Sequence, residues 1–202
     1  MIVVSQLILI TLFVLLFTFR VPKKTPFIYF ILLLICILTN VLLIGQIEWK
    51  IVVSFTYFFQ LLLVVGLGIL FYIVDLIILN MIKHNVILLD FAYMLKGRVN
   101  IKALLISFVI GLQEEILFRY FLFMEGGFSI IILLLISSIL FGINHLTFSK
   151  YDMFSKMVLG LVCGIIFILT RNILLSIVLH LVYNYFALKN KEEGWGVVQR
   201  GN

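Results

Sequence analysis

Three formal charges fall inside an otherwise apolar stretch, Glu114, Glu115 and Arg119 in the run Q-E-E-I-L-F-R from Gln113 to Arg119. On membrane-insertion scales a charged side chain at the centre of a spanning helix costs about 2.5 to 3.5 kcal/mol, so the three together cost roughly 8 to 10 kcal/mol before any pairing. Glu115 and Arg119 stand at i,i+4 with the acid on the N-terminal side, the better order for a helical ion pair. Glu114 points about 100° round the helix, toward Ile110, Leu117 and Phe118, and no cation on its own helix is spaced to meet it. A partner from another helix is expected. Two later apolar segments carry costly side chains of their own: Phe141 and His145 at i,i+4 in F-G-I-N-H, and His180 and Asn184 at i,i+4 in H-L-V-Y-N. Each pair shares one helical face.

A glutamate and a histidine can together take a proton from water, and a histidine with an asparagine can donate hydrogen bonds to an oxyanion. That set suits amide hydrolysis without a covalent enzyme intermediate. Ser137 and Ser138 precede His145 by about two helical turns, too far for its ring to act as their base. A metal site is the chemical competitor, since Glu114, His145 and His180 could supply three ligands and leave one position open. The H-E-x-x-H pattern of helical zinc proteases is absent, so metal-free hydrolysis without a cofactor is the favoured expectation.

These residues must be positioned by helices in lipid. The 202-residue chain is 64% hydrophobic with a mean hydropathy of +1.29, far above the roughly 45 to 50% apolar content of soluble domains. Apolar runs long enough to span, about 17 to 25 residues, cover Ile2 to Phe19, Phe27 to Gly45, Ile51 to Leu79, Ala103 to Phe123, Phe128 to Leu146, Met157 to Thr170 (a short one) and Ile173 to Leu188. The expected fold is therefore all-α, one membrane-embedded bundle over residues 1–202 with about seven transmembrane helices, eight being the alternative count. The motif-bearing core covers 103–188, and 189–202 forms a short polar tail. With Arg119 set aside as intramembrane, twelve of the remaining Lys and Arg residues fall on one side of this arrangement and only Lys50 and Arg171 on the other. The positive-inside rule then places the N-terminus outside and the C-terminus in the cytoplasm of a multi-pass cell-membrane protein. Lys150 and Lys156 count among the twelve, as loop charges.

Several features carry less. The first run lacks a basic segment before it and reads as a retained anchor, not a cleaved signal. Residues His84 to Lys102 mix apolar and basic side chains, as an interfacial connector helix would. Gly126 and Gly127 suit a tight turn, and Gly160 and Gly164 make a G-x-x-x-G that permits close helix approach. Asp75, after a long apolar run, reads as a structural or solvated residue near an interface. Cys36 and Cys163 fall singly in apolar runs, as packed or lipid-facing small side chains. His84, the third histidine, has no comparable setting and no role is expected of it. The charge of +6 has no cluster of basic residues interleaved with aromatics that would suit nucleic acid.

The three patterns, E-E-x-x-x-R at Glu114 to Arg119, F-x-x-x-H at Phe141 to His145 and H-x-x-x-N at His180 to Asn184, in that order on successive apolar helices, resemble the motifs of the CPBP family, the CAAX proteases and bacteriocin-processing enzymes also called Abi proteins. The resemblance covers about Ala103 to Leu188. It implies an intramembrane glutamic endopeptidase in which Glu114 with His145 activates water, His180 and Asn184 stabilise the oxyanion, and Glu115, Arg119 and Phe141 support the site. It further implies a peptide or membrane-associated protein as substrate, in peptide or bacteriocin processing or self-immunity. The small size and the Ile, Phe, Lys and Asn bias lean toward those bacterial roles. Other readings are a non-proteolytic immunity or scaffold protein, a zinc-dependent membrane protease, and a proton-coupled carrier, the last lacking the broken spans or inverted repeats that would favour it.

One geometric conflict follows from the span limits. Glu114 lies about 16 Å along its helix from Ala103, whereas His145 sits at the end of its own run. For them to meet, the fourth helix must begin later than Ala103, the fifth must continue past Leu146 toward Lys150, or water must reach inward to a sunken site opening to the cytoplasmic leaflet. Some of each is expected.

Overall fold

In the computed structural model, the residues described are 38, 54–85, 87, 99–124, 129–146 and 149–192, and the elements they form are helices, with no strand among them. Helix α1 covers Phe55–His84, α2 Ile101–Glu115, α3 Ile130–Ile143, α4 Lys150–Thr170 and α5 Ile173–Glu192. Helix α2 does not stop at Glu115. It passes into a π-helical segment, Ile116–Phe121, and closes with one α-turn, Leu122–Met124. The first two predicted spans, most of the connector, Gly126, Gly127, Cys36 and the end of the tail lie outside the described residues.

Two helices, Phe55–Ile82 and Lys150–Thr170, are long and apolar enough to cross a bilayer, while Ile130–Ile143 and Ile173–Lys189 are shorter apolar helices. The count of seven spans is not reached by the described residues. Apolar side chains nonetheless cover the surface as well as the core: Phe55, Phe58, Phe59, Leu63, Ile131 and Leu169 are exposed, whereas Glu114, Glu115, Arg119, Ser137, Asn144 and His180 are buried. Water would not support that arrangement, and lipid does, because polar groups in hydrocarbon must find partners inside the protein.

Several helix limits differ from the apolar runs for a common reason, that helices continue through polar residues when caps and partners allow. Helix α4 begins at Lys150, seven residues before the run that signals it, because Ser149 caps its first turn: the Ser149 hydroxyl oxygen accepts from the Asp152 amide at 2.9 Å. Lys150 and Lys156 are thus helical residues, not loop charges. Helix α1 likewise runs to His84 and ends on Asn85 in the left-handed region, which leaves Asp75 inside the helix and away from its end.

The chain forms two compact units. In one, which includes Val53–Phe108 and Val178–Asn202, α1 packs on the C-terminal part of α5. Gly68 makes this possible, since a Cβ there would stand 3.0 Å from the Leu179 carbonyl oxygen and from Val182. Tyr183, buried against Phe71 and Tyr72, donates its hydroxyl to an Asp75 carboxylate oxygen at 2.6 Å. A carboxylate that the apolar run places near an interface is therefore a helix-to-helix tie.

The other unit includes Val109–Ile177. Here α3 and α4 form a tight antiparallel hairpin. A Cβ on Gly142 would stand 2.7 Å from the Met153 carbonyl oxygen and 2.8 Å from the Met157 Cβ, so α3 touches the α4 backbone directly. Gly164 receives the Leu134 side chain, and Gly160 receives Phe141 and Arg119 at 3.0 and 3.1 Å from where a Cβ would stand. Both members of the G-x-x-x-G are thus at points of close approach. Cys163, fully buried, points its thiol at the Ser176 carbonyl, and the Ser176 hydroxyl donates to the Cys163 carbonyl at 2.8 Å. The cysteine is a packed small side chain in the α4–α5 contact.

The glycines predict an ordered series. Gly142→Ala meets backbone that cannot move aside and should cost about 1 to 3 kcal/mol, seen as a fall of several degrees in thermal unfolding of the purified protein. Gly164→Ala meets only the tip of Leu134, which can rotate, and should cost less. Gly66→Ala, with open space around it, should be neutral or slightly stabilising through helix propensity.

Candidate functional site

The site is set by how a helix that ends early meets one that continues. Helix α3 has 14 residues, about 21 Å of length, short of the roughly 30 Å of a hydrocarbon core. It closes in a tight turn in which His145 N–H donates to the Gly142 carbonyl at 2.9 Å and Leu146 N–H to Ile143 at 3.0 Å. This turn brings Asn144 and His145 to Glu114. The expected conflict between the two is resolved by neither change of helix limits: α2 begins at Ile101, earlier than Ala103, and α3 ends at Ile143, before Leu146. The shortness of α3 is what puts its end at the level of Glu114, which lies thirteen residues into α2.

At the centre, Glu114 Oε1 accepts a hydrogen bond from Asn144 Nδ2 at 3.0 Å and lies 3.9 Å from His145 Nε2. The His145 Nδ1 is 3.0 Å from the Phe141 carbonyl oxygen. A carbonyl only accepts, so the neutral ring carries its proton on Nδ1, and Nε2 faces Glu114 with a lone pair. Two acceptors 3.9 Å apart are beyond hydrogen-bond length and at a spacing one water can bridge by donating a hydrogen to each. His145 retains 15% side-chain exposure while Glu114 retains 3%, so the pair is open to its surroundings only on the histidine side.

Arg119 holds the scaffold behind this pair. Its Nε lies 3.4 Å from Glu115 Oε2, with both side chains fully buried. Its Nη2 donates to the Gly160 carbonyl at 3.0 Å, and its guanidinium lies 4.7 Å from the Phe141 ring centroid. One cation thereby ties α2, α3 and α4 together. Phe141 is fully buried, stacks edge-on with Phe118 and touches the His145 ring, so the residue that orients His145 through its carbonyl is itself clamped by Arg119. Arg119 stands within the π-helical segment. Such segments widen the helix and are enriched at functional sites, and here the Phe118 carbonyl within it accepts from the Ser137 hydroxyl at 2.7 Å. The Ser138 hydroxyl donates to the Leu134 carbonyl at 2.7 Å. Both serines are thus engaged with backbone, away from His145.

His180 is buried and Asn184 half-buried, one turn apart on α5. They lie in the other compact unit from Glu114 and His145. Among the described residues no group of three His, Cys, Asp or Glu side chains converges to hold a metal ion. Two participants were missed from the sequence. Asn144 stands beside the motif histidine in F-G-I-N-H, and only the tight turn after α3 lets both neighbours reach Glu114. The π segment leaves no sequence signal.

Replacing Arg119 tests the scaffold. Arg119→Met strands a buried Glu115 carboxylate and should cost about 3 to 5 kcal/mol. Adding Glu115→Gln should recover part of the lost thermal stability; a double variant no more stable than Arg119→Met alone would contradict the ion pair.

No curated protein and no solved structure matches the chain. Residues 97–186, somewhat less than half of the chain, match the family model described as type II CAAX prenyl endopeptidase Rce1-like, and all three motifs fall inside that stretch. Through this segment the chain is similar to the Rce1-like CAAX-type membrane proteases.

Proposed function

We propose that the protein is a metal-independent intramembrane endopeptidase in which Glu114 and His145 activate a water molecule to attack a peptide bond. The observation that carries this reading is the 3.9 Å gap between Glu114 Oε1 and His145 Nε2, with the second ring nitrogen tied to the Phe141 carbonyl. A water in that gap donates one hydrogen to each acceptor and turns its lone pairs outward. Glu114 takes the proton as the oxygen adds to the substrate carbonyl carbon, and Asn144 holds the carboxylate in place throughout. The proton is then delivered to the departing amide nitrogen as the C–N bond breaks. His180 and Asn184 donate to the oxyanion of the tetrahedral intermediate, a role assigned from their H-x-x-x-N spacing and motif order. Zinc chemistry is the less favoured alternative, because the helical H-E-x-x-H pattern of zinc proteases is absent from the sequence.

The substrate is a peptide or membrane-associated protein, and the role in a cell is peptide or bacteriocin processing or self-immunity. Glu114→Gln and Glu114→Ala, assayed by peptide cleavage with purified protein in lipid, should abolish turnover while the protein remains folded. Cleavage retained by Glu114→Gln would overturn the reading. Protection against a bacteriocin that survives the loss of cleavage would transfer the function to binding. Asn184→Ala should lower turnover by on the order of 10² to 10³, and an effect below about threefold would remove it from the mechanism.

A further inference from the structure

The Glu114–Glu115–Arg119 cluster carries two adjacent carboxylates and one guanidinium, all buried. Arg119 is committed to Glu115, to the Gly160 carbonyl and to the Phe141 ring, which leaves the cluster one positive charge short of balance. The register of α4 shows where the second cation stands. Gly160 is the residue whose carbonyl Arg119 holds; Lys156 lies one turn earlier on the same face of α4, as Glu115 lies one turn before Arg119. Met153 and Met157, on either side of Lys156, are the residues that meet Gly142 at the end of α3, two residues from Asn144. Lys156 is therefore within reach of the site from α4, and it is only partly exposed. Among the described residues, the groups around Glu114 include Glu115 and Arg119 from its own helix, Asn144 and His145 from the turn after α3, and Lys156 from α4.

We infer that Lys156 is a positioning residue, the counter-charge that α4 supplies to Glu114, completing the charge balance of the buried cluster and holding the carboxylate toward His145. This rests on the water-activating role of Glu114 for its effect on turnover, and on geometry alone for its effect on stability. A lysine suits the task, because its long stem lets the ammonium reach a buried carboxylate from a partly exposed position near the end of a helix.

The test uses the full chain in lipid, with Lys156→Met and Lys156→Arg alone and in the Glu114→Gln background. Lys156→Met should lower the unfolding temperature by roughly 5 to 10 °C, and this loss should largely vanish when Glu114 is already Gln. It should lower kcat for peptide cleavage at least about tenfold with KM within about twofold, and Lys156→Arg should restore kcat to within about threefold, a rescue that a merely structural lysine would not require. An equal loss of stability in both backgrounds would overturn the inference, as would a Met variant with full kcat in an enzyme that Glu114→Gln inactivates. If Glu114→Gln itself retains cleavage while the stability coupling to Lys156 persists, the counter-charge stands and it is the catalytic assignment that fails.

Discussion

The structure depends on keeping charge inside an apolar helical body. Glu115 and Arg119 are fully buried and Glu114 nearly so, in surroundings where water cannot satisfy them, so every nearby element must contribute a partner or a close approach. Arg119 does the most. A guanidinium offers a planar face and several donors, and it uses them on three helices at once: the Glu115 carboxylate, the Gly160 carbonyl and the Phe141 ring. A lysine at that position has no planar face to lay on Phe141 and could not reproduce the set. The glycine at 160 is part of the same constraint, since a side chain there would take the space that Arg119 and Phe141 occupy.

From that clamp the site follows outward. Phe141, fixed by Arg119, presents its carbonyl to His145, which sets the ring's tautomer and aims Nε2 at Glu114. The short α3 and its closing turn add Asn144 to the same carboxylate. Orientation thus passes from a fully buried ion pair to a pair of proton acceptors partly exposed on the histidine side. Under the proposed hydrolysis, the reacting groups must meet water while the groups that place them need not.

The motif residues were legible because lipid makes polar side chains expensive: Glu114, Glu115, Arg119, His145, His180 and Asn184 stand out of apolar runs, and i,i+4 spacing identifies the Glu115–Arg119 pair that the structure contains. The same contrast between polar and apolar misled where polar residues are themselves helical. The first turns of α4, with Asp152, Ser155 and Lys156, read as a loop, although Ser149 caps a helix there. Lys156 accordingly reads as a loop charge, when it lies within α4, one turn before Gly160. Asn144 does not stand out because helical periodicity, carried through His145, turns it to another face, and a turn that departs from that periodicity is what lets both residues reach Glu114. The π segment was invisible for a related reason, since a widened turn changes backbone pairing without requiring particular side chains.

The proposed chemistry turns on one water. An experimental density map of the wild-type chain in lipid, at a resolution that shows ordered solvent, tests it most directly. The expected result is a single water within about 2.6 to 3.2 Å of both Glu114 Oε1 and His145 Nε2, with the His145 Nδ1 still on the Phe141 carbonyl. A metal ion at that point, or a His145 ring in direct hydrogen-bonded contact with Glu114 and no solvent between them, would contradict it.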